Sequence, residues 1–193
     1  MISPKKDQLD SLLMQYKSLG AAMYGGEAVT QMEHALQCAQ LSRQNLDHPS
    51  LITASFFHDV GHLLAHLVKP TLRDSSHVDH DGVDDQHERL ALIHLESLFG
   101  PAVTQPIFLH VNAKRYLCAA QEKYWQSLSQ ASKDSLELQG GIFSAEESQD
   151  FLNLPFATDA VKLRQYDDLA KVPHRMVPTL DSFIPIFESV LIS

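Results

Sequence analysis

The sequence is poor in the features that mark several large classes of protein. It has two cysteines, Cys38 and Cys118, which lie too far apart to predict a disulfide framework or a zinc motif. We expect both to be buried thiols. No uninterrupted apolar run reaches the length that spans a bilayer, and the polar start, MISPKKDQLD, lacks the apolar core of a signal peptide. The sequence therefore predicts a cytoplasmic protein without a membrane segment.

Positive charge is also scarce. Lys and Arg total 15 against 24 Asp and Glu, so the formal net charge is -9. This balance disfavours a broad surface for nucleic acid or anionic membrane, although a local basic pocket can still bind a small anion. A chain of 193 residues with 44% hydrophobic content suits one substantial core. We expect a single domain over residues 1–193 and a small-molecule partner; the sequence carries no signal for an oligomeric state.

Helical spacing of apolar residues is what the sequence has in abundance. Apolar residues recur at steps of three and four, and no stretch shows the two-residue alternation of a half-buried strand. The fold class is therefore predicted as all-α, a single helical bundle. The clearest faces are formed by Leu9, Leu12, Leu13, Tyr16 and Leu19 in a first helix and by Val29, Met32, Leu36 and Ala39 in a second.

The segment LITASFFHDVGHLL is apolar almost all round, which predicts a central buried helix. Pro49 lies near its start and Gly61 near its end. The polar, Asp-rich segment 66–86 that follows is predicted as a long loop, a type of segment that often serves as a lid or binding loop. Further helices are predicted at 86–99, at 101–129 with a break near Pro106 or His110, at 156–170 and at 179–192.

His58 and Asp59 stand side by side where the apolar segment ends. A buried carboxylate without a partner costs several kcal/mol, about 2–7 for a polar group, so Asp59 needs a hydrogen-bonding or metal partner. Adjacent residues lie about 3.8 Å apart at Cα, which allows both side chains to reach one metal and the carboxylate to bridge to a second. The candidates for the remaining ligands are His34, His87, His110 and Asp167.

This ordered set resembles the HD-domain superfamily in its dimetal form. Six stretches narrow the resemblance to the 2-amino-1-hydroxyethylphosphonate dioxygenase branch, which is related to inositol oxygenase. They are YGGEAVTQMEHALQCA, HDVGH, QHERLA, HVNAKRYL, LELQGG and KLRQYDD. The resemblance implies a helical domain with two iron ions, mixed-valence Fe(II)/Fe(III), that uses O2 as co-substrate to split a carbon–phosphorus bond.

Carried over by position, the resemblance also implies which residues do what. One iron would be held by His34, His58, Asp59 and Asp167, and the other by Asp59, His87 and His110. The substrate would be a 1-hydroxy-2-aminoethylphosphonate, with the amine free or methylated, and the products phosphate and glycine or betaine. The residues implied in substrate binding are Tyr24, Glu27, His62, Lys114, Ser132, Gln139 and Arg164, of which Tyr24, Glu27, His62 and Lys114 are also implied in catalysis.

Within this set, Lys114 and Arg164 match the cations that bind the phosphonate, a task that suits charge-assisted hydrogen bonds. Tyr24 and Glu27 match a gate: the phenol would cover the open iron at rest, and Glu27 would meet a cationic amine. The alternative for this pair is that they cap and staple the second helix. Asp168 rivals Asp167 as ligand; the register favours Asp167, which leaves Asp168 as a solvated helix charge.

Two other functions fit the same residues. The first is a metal-dependent HD phosphohydrolase, in which the metals polarise a small phosphate ester and deliver a bound hydroxide without O2. The second is a non-catalytic module that binds a ligand and signals. Four imidazoles and two carboxylates suit iron, manganese, zinc and nickel alike, so the preference for iron depends on the resemblance.

Overall fold

The structure, a computed structural model, describes residues 4–22, 24, 27–68 and 86–193, and the side chains of 66–68 lie outside this description. Within these ranges the regular elements are all helices, which confirms the predicted all-α class. In chain order they are α1 (Pro4–Leu19), α2 (Gln31–Gln44), α3 (Pro49–Phe57), α4 (Val60–Val68), α5 (His87–Leu95), α6 (Pro101–Ala120), α7 (Tyr124–Ser127), α8 (Gln130–Leu138), α9 (Ala145–Leu152), α10 (Ala157–Leu169), a 3-10 turn (Leu180–Ser182) and α11 (Ile184–Glu188).

The α3 helix lies at the centre of the main core. Every residue from Leu51 to Phe57 is buried, and the helix packs against α2, α6, α10 and α11. Phe56 and Phe57 contact one another edge to face and both contact Phe187 of α11. Each fully buried phenylalanine contributes about 1.5–3 kcal/mol relative to an exposed one. This aromatic cluster anchors the end of α3, where the HD pair follows.

The central helix is shorter than predicted. The helix α3 ends at Phe57 and α4 begins at Val60, so His58 and Asp59 form the turn between two helices. Gly61 does not end a helix but lies inside α4. A Cβ there would be 1.9 Å from the carbonyl oxygen of His87, so the glycine permits a backbone approach between α4 and α5 that no other residue allows.

Other predicted boundaries differ as well. The α6 helix runs unbroken through Pro106 and His110, and it ends at Ala120. Pro106 removes a single hydrogen bond in the second turn of a long, well-buried helix, a cost that packing outweighs. The predicted helix at 179–192 is divided into the 3-10 turn and the short α11.

Helices α8 and α9 were not predicted, although serine caps mark their starts. Ser129 caps α8, and Ser144 forms a capping box with Glu147 in α9. Part of the predicted loop 66–86 is helical, because α4 continues to Val68, and positions 69–85 of that loop lie outside the described residues. In the described part of the chain, no helix has both the length and the apolar character needed to cross a bilayer.

Candidate metal and anion site

The six predicted ligand side chains converge at one buried point. They come from α2, the turn after α3, α5, α6 and α10, and none is more than 7% exposed. Tertiary packing brings these five elements together, and the order of residues along the chain does not by itself predict it. The six are His34, His58, Asp59, His87, His110 and Asp167.

Asp59 lies in the middle of this group. Its Oδ2 is 3.2 Å from Nε2 of His58 and 3.7 Å from Nε2 of His34. Its Oδ1 is 3.5 Å from Nε2 of His87 and 3.7 Å from Nε2 of His110. The two carboxylate oxygens therefore divide the four imidazoles into two pairs, one on each side of Asp59.

Backbone carbonyls set the tautomers of three of the four imidazole rings. Nδ1 of His58 is 3.0 Å from the carbonyl oxygen of Ser55, and Nδ1 of His110 is 2.6 Å from that of Ile107. Nδ1 of His34 is likewise 3.0 Å from the Ala170 carbonyl. Because a carbonyl only accepts, each Nδ1 carries the proton, and Nε2 of the neutral ring presents a lone pair.

The Nε2 atoms of the four rings face each other in two pairs. Nε2 of His34 and Nε2 of His58 are 3.3 Å apart, and Nε2 of His87 and Nε2 of His110 are 3.1 Å apart. For His34 and His58, whose neutral rings both present a lone pair at Nε2, this distance is repulsive unless a shared cation attracts both nitrogens. The arrangement therefore fits metal binding by each imidazole pair, with Asp59 between them and the ring orientation set by the carbonyls behind.

Electrostatic interactions within the group stabilise the ionised form of Asp59 and shift the imidazoles in different directions. Burial would raise the pKa of Asp59, but the charges of His58, His62 and His87 hold that pKa well below its usual range. Burial and the neighbouring His87 lower the pKa of His110 well below its ordinary value, so this ring stays neutral with a lone pair available. Burial lowers the pKa of His58, but Asp59 outweighs it and the net shift is upward. A metal cation bound to His58 in place of this proton would provide the same positive charge to the Asp59 carboxylate.

Asp167 and Asp168 have different environments. Oδ1 of Asp167 is 3.4 Å from Nε2 of His34, and this buried oxygen has no hydrogen-bond partner. Asp168 accepts hydrogen bonds from the Tyr124 hydroxyl and from Arg164 instead. The prediction that Asp168 is a solvated charge is wrong, because its side chain is 18% exposed and pairs with Arg164 and Tyr124. The structure places Asp167, not Asp168, beside the imidazoles.

Two further side chains lie beside the imidazoles. Sγ of Cys38, one turn after His34, is 3.7 Å from Nε2 of His34, and His34, Cys38 and His58 form a set that could hold a metal. Burial raises the pKa of the Cys38 thiol well above its usual value, which disfavours the thiolate. His62 joins Asp59 and His87 in a second such set. Cys38 is buried as predicted, whereas Cys118 is only partly buried.

A small cavity of about 20 Å³ adjoins the Asp59 side of the group. Its wall contains side chains that can coordinate a metal and also cationic side chains, so an anion in the cavity would contact both kinds. Of the predicted substrate-binding residues, all but Glu27 line it, and Ser135 is an addition that the sequence did not suggest. The lining includes Tyr24, Asp59, His62, Lys114, Ser132, Ser135, Gln139 and Arg164.

Lys114 and Arg164 are buried cations in this wall. Nζ of Lys114 donates to the Ser135 hydroxyl at 2.7 Å, and burial, with Arg164 nearby, lowers the pKa of Lys114 to about 7. Arg164 pairs with Asp167 at 2.8 Å and also with Asp168. Burial would lower the pKa of Arg164, but these carboxylates raise it, so the guanidinium stays charged. Both cations are available to an anion in the cavity.

Gln139 follows α8 at the cavity wall, and its side-chain oxygen is buried without a hydrogen-bond partner. Arg115 holds the loop beside it, because its guanidinium donates to the carbonyl oxygens of Gly140 and Gly141, each at 2.8 Å. The Arg115 group also lies 4.3 Å from the Phe143 ring centroid. Gln139 therefore presents an acceptor to the cavity from a fixed loop.

Tyr24 closes the site from the other side. Its hydroxyl donates to Oδ2 of Asp59 at 2.6 Å, and its ring stacks on His34 with centroids 4.0 Å apart. Oε1 of Glu27 is 3.5 Å from Nζ of Lys171. The helix α2 is capped by Thr30 and Glu33 instead, so the alternative in which Tyr24 and Glu27 cap it is wrong.

Comparisons with known proteins give the family. No family model matches the chain. The chain is 41% identical, over 96% of its length and 89% of the relative, to a hydroxymethylphosphonate dioxygenase of Gimesia maris. It is 33% identical, over 89% of its length and 84% of the relative, to the glycine-betaine-forming [1-hydroxy-2-(trimethylamino)ethyl]phosphonate dioxygenase of Leisingera caerulea. An uncharacterized protein of Acanthamoeba polyphaga mimivirus is 32% identical over 176 residues. The chain therefore belongs to the HD-domain phosphonate dioxygenase family.

Proposed function

We propose that this chain uses O2 at two iron ions to cleave the carbon–phosphorus bond of a small 1-hydroxyphosphonate and releases phosphate. The observation that carries the proposal is the position of Asp59. Its two oxygens each face a pair of imidazoles, and it also lines the cavity that Lys114 and Arg164 share. A dimetal centre and an anion site would thus act on one molecule.

The residues that would hold iron follow from this geometry. His34, His58, Asp59 and Asp167 would hold the first ion, and Asp59, His87 and His110 the second. When bound, iron supplies the activation of O2 that cleavage of an unactivated C–P bond requires. The close approach of Nε2 atoms within each imidazole pair, at 3.3 and 3.1 Å, and the buried Oδ1 of Asp167 support this assignment.

The cation side of the cavity would bind and orient the phosphonate. Lys114 and Arg164 form charge-assisted hydrogen bonds with its oxygens, and the Ser132 hydroxyl adds a neutral one. His62, which stacks on His87 with centroids 4.0 Å apart, contacts the phosphonate from the metal side. Together these groups would hold C1 and its hydroxyl toward the Asp59 side of the cavity.

Tyr24 would act as a gate. A cavity of about 20 Å³ holds little more than one water, so a phosphonate enters only when a wall moves. The Tyr24 hydroxyl donates to Oδ2 of Asp59, and both residues line the cavity, where the phenol would exclude solvent. In this proposal Tyr24 leaves Asp59 as substrate arrives, and the catalytic role predicted for Tyr24, Glu27, His62 and Lys114 is this gating and orientation.

Hydroxymethylphosphonate is the first candidate substrate. The relative with 41% identity is named for it, and the acid that would meet an amine, Glu27, already faces the ammonium of Lys171. With this substrate the reaction balances when one oxygen atom of O2 is incorporated into formate and the other into phosphate. The predicted 2-amino-1-hydroxyethylphosphonate, which would give glycine, and its trimethylated form, which would give betaine, remain the next candidates.

The test is to measure O2 uptake beside phosphate release with anaerobically purified, iron-loaded protein and these three phosphonates. We expect equal amounts of O2 consumed and phosphate released, with the highest kcat/KM for hydroxymethylphosphonate. Metal-free protein and reactions under argon are the controls. Phosphate release from a phosphate ester under argon, without O2 uptake from any phosphonate, would contradict the proposal and favour the phosphohydrolase.

A further inference from the structure

A third cation lies beside Lys114 and Arg164. Lys171 follows α10 by two residues, and its side chain is 10% exposed. Its Nζ is 3.2 Å from the Ser132 hydroxyl oxygen, and Nη2 of Arg164 is 3.3 Å from the same oxygen. Lys171 and Arg164 therefore converge on one atom of the cavity wall. No motif in the sequence singled out this lysine.

This part of the wall has more donors than acceptors. The Ser132 oxygen is also 3.2 Å from the hydroxyl of Ser129, so three donors approach an oxygen that has two acceptor lone pairs. An ammonium group has three N–H bonds, and the Ser132 oxygen is the one hydrogen-bond acceptor of Lys171 among the described residues. A group with several anionic oxygens would use the unsatisfied donors.

The nearby carboxylates balance the charge of Lys171 without satisfying its hydrogen bonds. Nζ is 3.5 Å from Oε1 of Glu27 and 3.7 Å from Oδ1 of Asp167. Both of these oxygens are buried and have no hydrogen-bond partner. Such long, buried ion pairs are easily replaced by a closer anion, because a charge-assisted hydrogen bond needs a separation nearer 2.8 Å.

We propose that Lys171 is a third cationic contact of the phosphonate and that Glu27 is its counter-ion when no substrate is bound. The inference rests on the proposed function, since it assumes that the cavity takes a phosphonate. One phosphonate oxygen would accept from Lys171, and the others from Lys114 and Arg164.

The test compares Lys171→Met with Lys171→Arg and with Lys162→Met, a matched control on α10 that pairs with Asp47 outside the cavity. In Lys171→Met we expect KM for hydroxymethylphosphonate to rise roughly tenfold or more, with a smaller effect on kcat, because a hydrogen bond to a charged group is lost. The dissociation constant for inorganic phosphate, measured by calorimetry on iron-loaded protein, rises by a similar factor. Lys171→Arg recovers most of both losses, and Lys162→Met shows neither.

Two results would overturn the inference. The first is an unchanged KM and phosphate affinity in Lys171→Met, while the wild type cleaves phosphonate. The second is an equal loss in Lys171→Arg, which would indicate a structural role. If the wild type binds phosphate but cleaves no phosphonate, the proposed function fails, and the phosphate affinities still decide the role of Lys171. Should Lys171→Met not fold in thermal denaturation, Lys171→Gln replaces it.

Discussion

The two sides of the cavity are built in different ways. On the imidazole side, His58 and His110 are each held by the carbonyl of the residue three positions earlier, Ser55 and Ile107. On the cation side, Arg164, Ser132 and Lys171 are held by one another's side chains, which come from different elements. A ring held by its own helical turn keeps its orientation when a ligand arrives. Side chains that hold one another can exchange partners.

The two sides of the cavity also differ in how their charges are balanced. The imidazole side has one central carboxylate, Asp59, whose ionised form is stabilised by the surrounding rings. The cation side already pairs Arg164 with two carboxylates and Lys171 with Glu27 at long range. The first side suits permanent metal ligands, and the second suits a substrate that binds and leaves.

Replacement of Asp59 would have the largest effect, because this residue belongs to both sides. In Asp59→Asn we expect loss of the second iron, with activity reduced more than about a hundredfold and the helical fold kept. The amide lacks the charge that both imidazole pairs face. The measurement is iron content per chain, together with coupled O2 uptake and far-UV circular dichroism.

The matched control for this variant is Asp181→Asn, an exposed aspartate far from the site, which should keep both ions and full turnover. A variant at Asp59 that retained two irons and normal turnover would remove Asp59 from the proposal.

Gly61→Ala tests whether the rigid imidazole side depends on close helix contact. The new Cβ would lie 1.9 Å from the carbonyl oxygen of His87, so α4 and α5 must separate. We expect the free energy of unfolding to fall by about 1–3 kcal/mol and iron binding to weaken as His87 shifts. Urea denaturation measures the free energy of unfolding, and metal titration measures the affinity for iron.

Gly100→Ala is the control for this change, because a Cβ there lies 3.7 Å from Ile192, an ordinary contact. As Gly100 precedes α6, its replacement should cost less than about 1 kcal/mol. Equal stability of Gly61→Ala and the wild type would show that the α4–α5 approach is not required.

The smallest expected effect concerns pH on the cation side. Burial lowers the pKa of Lys114 from 10.5 to about 7, so its ammonium is lost as the pH rises through that value. We expect KM for the phosphonate to rise by up to about tenfold per pH unit above this point. Lys114→Arg, which stays charged, should flatten that rise.

The stability of the fold should increase with pH, whereas phosphonate binding weakens. Between pH about 7 and 10.5 the unfolded chain binds the Lys114 proton and the folded chain does not, so the contribution of Lys114 to stability increases with pH. Unfolding experiments across this range, compared for the wild type and Lys114→Arg, measure it. A KM that is independent of pH in the wild type would contradict the role of Lys114 as a cationic contact.

Sequence patterns predicted the elements with strong periodicity and missed the short ones. The apolar face of α1 and the buried run of α3 were recognisable, because a face repeats every three or four residues whatever it packs against. The predicted face of the second helix was only partly right: Val29 precedes α2, Met32 and Leu36 are partly buried, and Ala39 is buried. Helices α8 and α9 have few apolar residues, so periodicity did not reveal them. Their capping serines, Ser129 and Ser144, were the available signal.

The interruption of the central helix at His58 and Asp59 could not be read from the sequence. Both residues tolerate helical geometry, and Gly61 was the expected end of the helix. The turn is accompanied by the approach of α5 to Gly61 and the convergence of imidazoles on Asp59, which are long-range contacts. Local propensity carries no information about them.

The sequence by itself determined the helical class and predicted the six side chains of the proposed metal-ligand set, because periodicity is a local property and a resemblance can carry residue chemistry by position. Only the tertiary structure decided how those groups are shared. It divided four imidazoles between the two oxygens of Asp59, paired Asp168 with Arg164, and brought Lys171 to Ser132 and Glu27. The physical reason is that pairing depends on distances between side chains far apart in the chain, and packing of helices sets those distances.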